Sequence, residues 1–232
     1  MPVNTENYQQ IITELNSDKV TLVAVSKTKP REDILELYQL GQRAFGENYV
    51  QELVDKYEQL PRDIQWHFIG HLQSNKVKYV APFVSLIQGV DSKKLLTEIN
   101  KQGKKNDRTI DCLLQVHIAE EETKFGFDGK ELDELFSMDV NGLKNIRIRG
   151  LMGMASFTEE GGKVRNEFKV LKSLFDKYAA YKLPFSSFTI VSMGMSSDYK
   201  IAIEEGSNMV RIGSLLFGER SGHPKEQGHQ PS

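Results

Sequence analysis

The sequence predicts a single (β/α)8 barrel on three observations: eight short apolar runs of strand length, helix-period patterns between them, and unusual residues gathered where strand gives way to helix. A chain of 232 residues lies within the range of one such domain and can bury a core large enough to be stable without staples. Closing a parallel sheet is the economical way to cover every edge, with a doubly wound open sheet as the alternative.

Ahead of the first strand, Tyr8, Ile11, Ile12 and Leu15 hold the spacing of one helical face, which predicts an extra helix packed on the domain. Residues 22–25 are the first apolar run. Lys29-Pro30 opens a helix whose inner face is Ile34, Leu37 and Tyr38 and which Gly41 stops. Residues 43–46 read as the second strand, with Val50, Leu53, Val54 and Tyr57 on the next helix face. The third strand is 65–69, before a short helix through Val77 and Val80. The fourth is 84–87, followed by a helix capped by Asp91 or Ser92 with Leu95, Leu96 and Ile99 inward. Residues 111–118 are the fifth strand, with Leu132, Leu135 and Phe136 marking the helix behind it. The sixth, 146–155, leads into a helix with Val164, Phe168, Leu171, Phe175 and Tyr178 in step. The seventh, 188–191, precedes a helix through Ile201 and Ala202, and 209–217 supply the last strand. The barrel is expected to occupy 1–218, and the polar stretch 219–232 to be a disordered tail.

Composition narrows the partners. With 30 basic against 32 acidic residues the formal charge is −2, which argues against an electrostatic grip on nucleic acid or a membrane surface. The lone Cys112 has no disulfide partner and the N-terminus is not signal-like, so the expected location is cytoplasmic. No apolar run approaches the roughly 18 residues of a membrane helix. Five histidines and one cysteine show no metal-ligand spacing, and no metal site is expected. Lys93-Lys94 and the basic run 101–105 read as solvated helix faces, and no Gly-x-Ser-x-Gly elbow points to a hydrolase.

In parallel barrels the working groups sit at the carboxyl ends of the strands, often with a phosphate site after the last two. Those positions hold Ser26-Lys27-Thr28-Lys29, Gly46-Glu47-Asn48-Tyr49, Gly70-His71-Leu72-Gln73-Ser74-Asn75-Lys76, Ser192-Met193-Gly194-Met195-Ser196-Ser197-Asp198 and Arg211-Ile212-Gly213-Ser214. Small hydroxyl residues before a helix offer backbone N–H groups to an anion, Gly194 and Gly213 let backbone approach closely, and Arg211 can add a charge-assisted contact. The plainer reading is that Ser196 or Ser197 caps a helix and Arg211 pairs with a carboxylate. Two such segments on the final two strands favour a phosphate.

Lys27 shares strand parity with Val23 and Val25, which aims its side chain into the barrel mouth. Burial there disfavours the charged amine, and a neutral amine is what condensation with a carbonyl requires. Lys29 lies beyond the strand and should reach solvent or a helix end. A carbonyl-binding lysine facing a phosphate site fits pyridoxal 5′-phosphate (PLP) or a phosphorylated sugar in an aldolase-like site, and spacing does not choose between them. His67 alternates into a strand as a core histidine, His71 sits in the following loop, and His117 ends the fifth strand alone.

Five stretches carry a resemblance: Ala24-Val25-Ser26-Lys27-Thr28-Lys29-Pro30, Phe45-Gly46-Glu47-Asn48-Tyr49-Val50-Gln51-Glu52, Trp66-His67-Phe68-Ile69-Gly70-His71-Leu72-Gln73-Ser74-Asn75-Lys76, Ser192-Met193-Gly194-Met195-Ser196-Ser197-Asp198 and Val210-Arg211-Ile212-Gly213. Over residues 20–217 the chain resembles the pyridoxal phosphate homeostasis proteins. The resemblance implies a barrel like the N-terminal domain of alanine racemase and PLP held as a Schiff base on Lys27. It implies a phosphate site made by Ser192, Met193, Gly194, Ser196, Ser197, Arg211 and Gly213, with Asn48 and Met154 beside the ring and Lys124 nearby. It also implies a role in vitamin B6 balance, with apo PLP-dependent enzymes as recipients and no established turnover. Racemases of this fold carry a further β domain that supplies a second acid–base group through a dimer; the chain stops after the eighth strand, which predicts a monomeric carrier. The rival expectation is a small PLP-dependent racemase or decarboxylase whose second acid is His71 or Tyr49. Glu47 and Gln73 receive no role.

Overall fold

Thr21, Leu22, Val23 and Ala24 pair in parallel with Met209, Val210, Arg211 and Ile212, and this pairing of first strand with last closes the sheet. The computed structural model describes residues 3–119, 125–137, 143–181 and 186–218. Its strands, in barrel order, are β1 (Thr21–Val25), β2 (Ala44–Glu47), β3 (Gln65–Phe68), β4 (Leu86–Val90), β5 (Ile110–Val116), β6 (Ile146–Gly153), β7 (Ser186–Met195) and β8 (Met209–Ile212). Around them lie α1 (Thr5–Ser17), α2 (Arg31–Gln39), α3 (Val50–Gln59), α4 (Val77–Val80), α5 (Lys93–Lys105), α6 (Gly129–Ser137), α7 (Gly161–Ala179), α8 (Tyr199–Glu204) and α9 (Ser214–Phe217). The expected closed barrel is therefore the observed one. The expected tail at 219–232 and Lys124 fall outside the described residues.

Two cores follow from strand alternation. Side chains pointing outward meet the helices, where Phe45, Trp66, Phe68, Phe168 and Phe217 are buried, each worth about 1.5–3 kcal/mol of burial. Inside the barrel Val23, Ala44, Leu86, Leu113, Met152 and Met209 form a separate apolar plug, so the interior is a packed floor beneath the mouth. The extra helix α1 turns Tyr8, Ile11 and Leu15 inward, is capped by the Asn4 side chain, and is tied to α9 by the Asn4 N–H on the Leu216 carbonyl at 2.8 Å.

Most strand ends shift by one or two residues from the sequence reading, and three boundaries change what a segment is. The fourth strand begins at Leu86, because the Val84 N–H still bonds the Val80 carbonyl of α4, and Gln88 and Gly89 interrupt the apolar run that marks a strand. The seventh strand runs on to Met195, which turns Ser192, Met193 and Gly194 from loop into strand. The eighth stops at Ile212; Leu216 and Phe217 are buried on a helical turn, a case where a short apolar run does not distinguish helix from strand. Ser92, accepting the Leu95 N–H, caps α5, while Asp91 is engaged by His71.

Candidate functional site

β1 ends at Val25, but the Ser26 N–H remains on the Gly46 carbonyl at 3.0 Å, so the chain leaves the sheet abruptly. The Lys29 N–H closes back on the Ser26 carbonyl at 3.0 Å and Thr28 takes φ +62, leaving Lys27 on a tight turn. Lys27 is half-buried and borders a cavity of about 600 Å³ at the barrel mouth, a size suited to a small cofactor. Val25 borders it too, above the buried Val23, as strand parity predicts. Lys29 turns away at its tip, donating from Nζ to the Phe217 carbonyl at 2.8 Å, the helix-end role expected of it.

Across the cavity stand Ser196, Ser197, Gly213 and Ser214 from the turns after β7 and β8. Asp198 shapes the first turn by accepting the Met195 N–H at 2.6 Å, and the Gly213 N–H donates to Ser196 Oγ at 3.2 Å, joining the two segments. Neither serine caps α8, whose N-cap position is Asp198. With six and four residues, α8 and α9 are short, so an anion here would rely on hydroxyls, nearby N–H groups and Arg211 more than on a long helix dipole. Arg211 forms part of the floor, 4% exposed, with its guanidinium on Ser192 Oγ at 2.6 Å and the Gly153 carbonyl at 2.9 Å. Burial pulls its pKa down to about 10, opposed by Asp198, so it remains a cation at neutral pH. Among the described residues no carboxylate lies within salt-bridge distance of it, contrary to the plainer reading of that arginine.

The family model for the alanine racemase N-terminal domain matches residues 4–221. A pyridoxal phosphate homeostasis protein of Aquifex aeolicus is 45% identical over 201 residues, 86% of each chain. This chain belongs to the pyridoxal phosphate homeostasis protein family. Among solved structures, PipY of Synechococcus elongatus without PLP superimposes with a TM-score of 0.86 at 33% identity, covering 92% of this chain and 99% of that one. The same protein with PLP bound gives 0.78, covering 89% and 98%.

Of the residues that the family resemblance marks, Lys27, Asn48, Met154, Ser196, Ser197, Arg211 and Gly213 meet at this one cavity. Ser192, Met193 and Gly194 do not border it, because β7 carries them past the plug as strand. Ser192 Oγ accepts from Arg211 and donates to Gln88 Oε1 at 2.7 Å, Met193 joins the outer core, and Gly194, at φ +96, is pressed against α8. Arginine is only a donor, which fixes the direction of this chain: Arg211 to Ser192, Ser192 to Gln88, Gln88 Nε2 to His67 Nδ1 at 3.1 Å. His67 is thus a core histidine, neutral, with burial pushing its pKa down to about 4. His71 pairs with Asp91 at 2.8 Å and stacks on Phe125, away from the cavity wall, and Gln73 is exposed. Sequence reasoning gave no site role to Ile69, Met195, Leu215 or Phe157 on the wall; Ile69 and Met195 lie inside quoted motifs and Leu215 adjoins one, whereas the 90% exposed Phe157 carries no local signal.

Glu47 was left without a role and has one in the architecture. Its Oε1 accepts from Ser26 Oγ at 2.6 Å and from Lys56 Nζ at 2.7 Å, and Lys56 also reaches Glu52 and the Ser26 carbonyl. Lys56, which the sequence reading left off the inner face of its helix, is 8% exposed. Among the described residues no group of three or more His, Cys, Asp and Glu side chains could hold a metal, and no helix is long and apolar enough to cross a membrane.

Proposed function

We propose that this chain is a PLP carrier: it holds PLP as a Schiff base on Lys27, takes part in PLP homeostasis, and delivers the cofactor to apo-enzymes without a turnover of its own. The observation that carries this reading is one cavity where a lysine from the end of β1 faces hydroxyls and a buried cation from the ends of β7 and β8. The residues present suit PLP in three further respects. Among the described residues, Asn48 Oδ1 is buried without a hydrogen-bond partner and Arg211 lacks a carboxylate at contact distance, while Met154 and Ile69 offer apolar surface for a ring. The PLP-bound relative at 33% identity supports the same assignment.

When bound, PLP supplies an aldehyde that condenses with an amine and is handed on to another amine by the same exchange. Lys27 provides the amine. Ser196, Ser197 and the Gly213 segment would hold the phosphate, Arg211 would add positive charge beneath, and Asn48 and Met154 would flank the ring. Among the described residues that border the cavity there is no carboxylate, imidazole, phenol or thiol. That supports a carrier, since interconverting two faces of a substrate carbanion requires a proton donor on each side. The carrier is read as a monomer of the cytoplasm, and the single buried Cys112 suits that reducing compartment.

Borohydride reduction of PLP-loaded protein followed by peptide mapping should place a pyridoxyl group on Lys27; a label confined to other lysines would sink the reading. Adding an apo PLP-enzyme should lower the carrier's Schiff-base absorbance as the recipient gains activity. Steady turnover of an amino acid that depends on Lys27 would instead make the chain an enzyme.

A further inference from the structure

The two neighbours of Lys27 are gripped by one buried chain of charge. Ser26 gives its hydroxyl to Glu47 Oε1 at 2.6 Å and its carbonyl to Lys56 Nζ at 2.8 Å. The Thr28 N–H donates to Glu52 Oε1 at 2.6 Å, and Lys56 joins Glu47 to Glu52 at 2.7 and 2.6 Å. Thr28 is β-branched, and its φ of +62 is a conformation such residues avoid; it persists because these bonds hold it. Glu47 is fully buried and its Oε2 has no partner. Two carboxylates sharing one buried ammonium are a poor device for stability alone, since apolar packing of equal volume does as well or better.

We propose that Glu47, acting through Lys56 and Ser26, is a positioning residue for Lys27: it holds the Ser26–Lys29 turn in the strained form that aims the Lys27 amine into the cavity. The inference rests on the PLP reading above. The charged groups near Glu47 are Lys56 and Glu52 of α3; Lys27 and Lys29 belong to the turn after β1, with Lys29 directed to α9, and on β3 the residue in register is the apolar Phe68. Burial raises Glu47 to about 7 against the opposing effect of Lys56, so its charge changes near neutral pH. The ionised form accepts the Ser26 and Lys56 bonds more strongly, and the turn is held most firmly above that pH.

The test uses the full chain with PLP as probe, comparing the wild type with Glu47→Gln, Lys56→Met and Lys56→Arg. Borohydride-fixed label on Lys27 at limiting PLP should rise in the wild type as pH passes through about 7, and that step should be absent in Glu47→Gln. Lys56→Met should reduce labelling by roughly tenfold to a hundredfold, with Lys56→Arg restoring most of it. Amide exchange of residues 26–29 in PLP-free protein, at one pH, should be faster in Lys56→Met and near wild type in Lys56→Arg. If Lys56→Met does not fold, Glu52→Gln, at the exposed end of the chain, should show faster exchange at Thr28. A wild-type pH profile in Glu47→Gln, together with unchanged exchange in the Lys56 or Glu52 variant, overturns the positioning role while leaving the carrier intact. Absence of label on Lys27 in the wild type overturns both.

Discussion

The two walls of the cavity are built by opposite means. On the β1–β2 side, Lys27 stands on a strained turn that a buried ion-pair chain holds in place. On the β7–β8 side, short turns of serine and glycine face the cavity, and the one cation, Arg211, is held by a hydroxyl and a carbonyl. A covalent partner must be aimed to within a fraction of an ångström, which calls for charged restraint. An anion is held by several graded contacts, and neutral donors suffice. The lysine wall should therefore fail all at once under substitution, and the anion wall in steps.

Lys27→Ala gives the largest expected effect: complete loss of borohydride-fixed label, with weak non-covalent PLP binding retained through the opposite wall, as equilibrium dialysis would show. Next comes Gly194→Ala. Its backbone lies at φ +96 and an added Cβ would fall 2.6 Å from the Ala202 Cβ, so α8 must shift and stability should drop by about 2–4 kcal/mol in urea titration. Ser197→Ala should weaken PLP binding by only about 0.5–1.5 kcal/mol without affecting which lysine is labelled. An all-or-none loss there would erase the distinction between the walls.

The smallest effects concern pH. Glu47 has its folded pKa raised from 4.5 to about 7, so the stability it contributes is full below 4.5 and is lost as pH rises through about 7. His67 is the reverse: lowered from 6.5 to about 4, it contributes stability that is full above 6.5 and is lost as pH falls through about 4. Urea midpoints should show Glu47→Gln gaining on the wild type as pH rises through about 7, and His67→Gln gaining on it as pH falls from 6.5 towards 4. Parallel profiles for all three proteins would refute both assignments.

Much of the molecule was legible in the sequence because its signals are local. Tyr8, Ile11 and Leu15 share a helix face at any packing, and Val23 and Val25 share a strand face that leads up to the turn carrying Lys27. The glycine and hydroxyl segments at the ends of the last two strands place Ser196, Ser197, Gly213 and Ser214 on one wall of the cavity. The errors were of another kind. Val84 and Leu216 are apolar and buried as a strand residue would be, yet Val84 follows the turn after α4 and Leu216 lies on a helical turn, since burial alone does not report backbone conformation.

Period, parity and loop composition are properties of neighbouring residues, and by themselves they determined the barrel and put Lys27 and the serine-glycine turns at the ends of its strands. Only the tertiary structure decided that Ser192 and Met193 of β7 turn away from the mouth cavity, that Arg211 is held by Ser192 and Gly153, and that Lys56 of α3 reaches Ser26 directly and Thr28 through Glu52. Those contacts join residues from 19 to 58 positions apart in the arginine's case, and a charge on a helix reveals its partner only when the fold has removed the water between them.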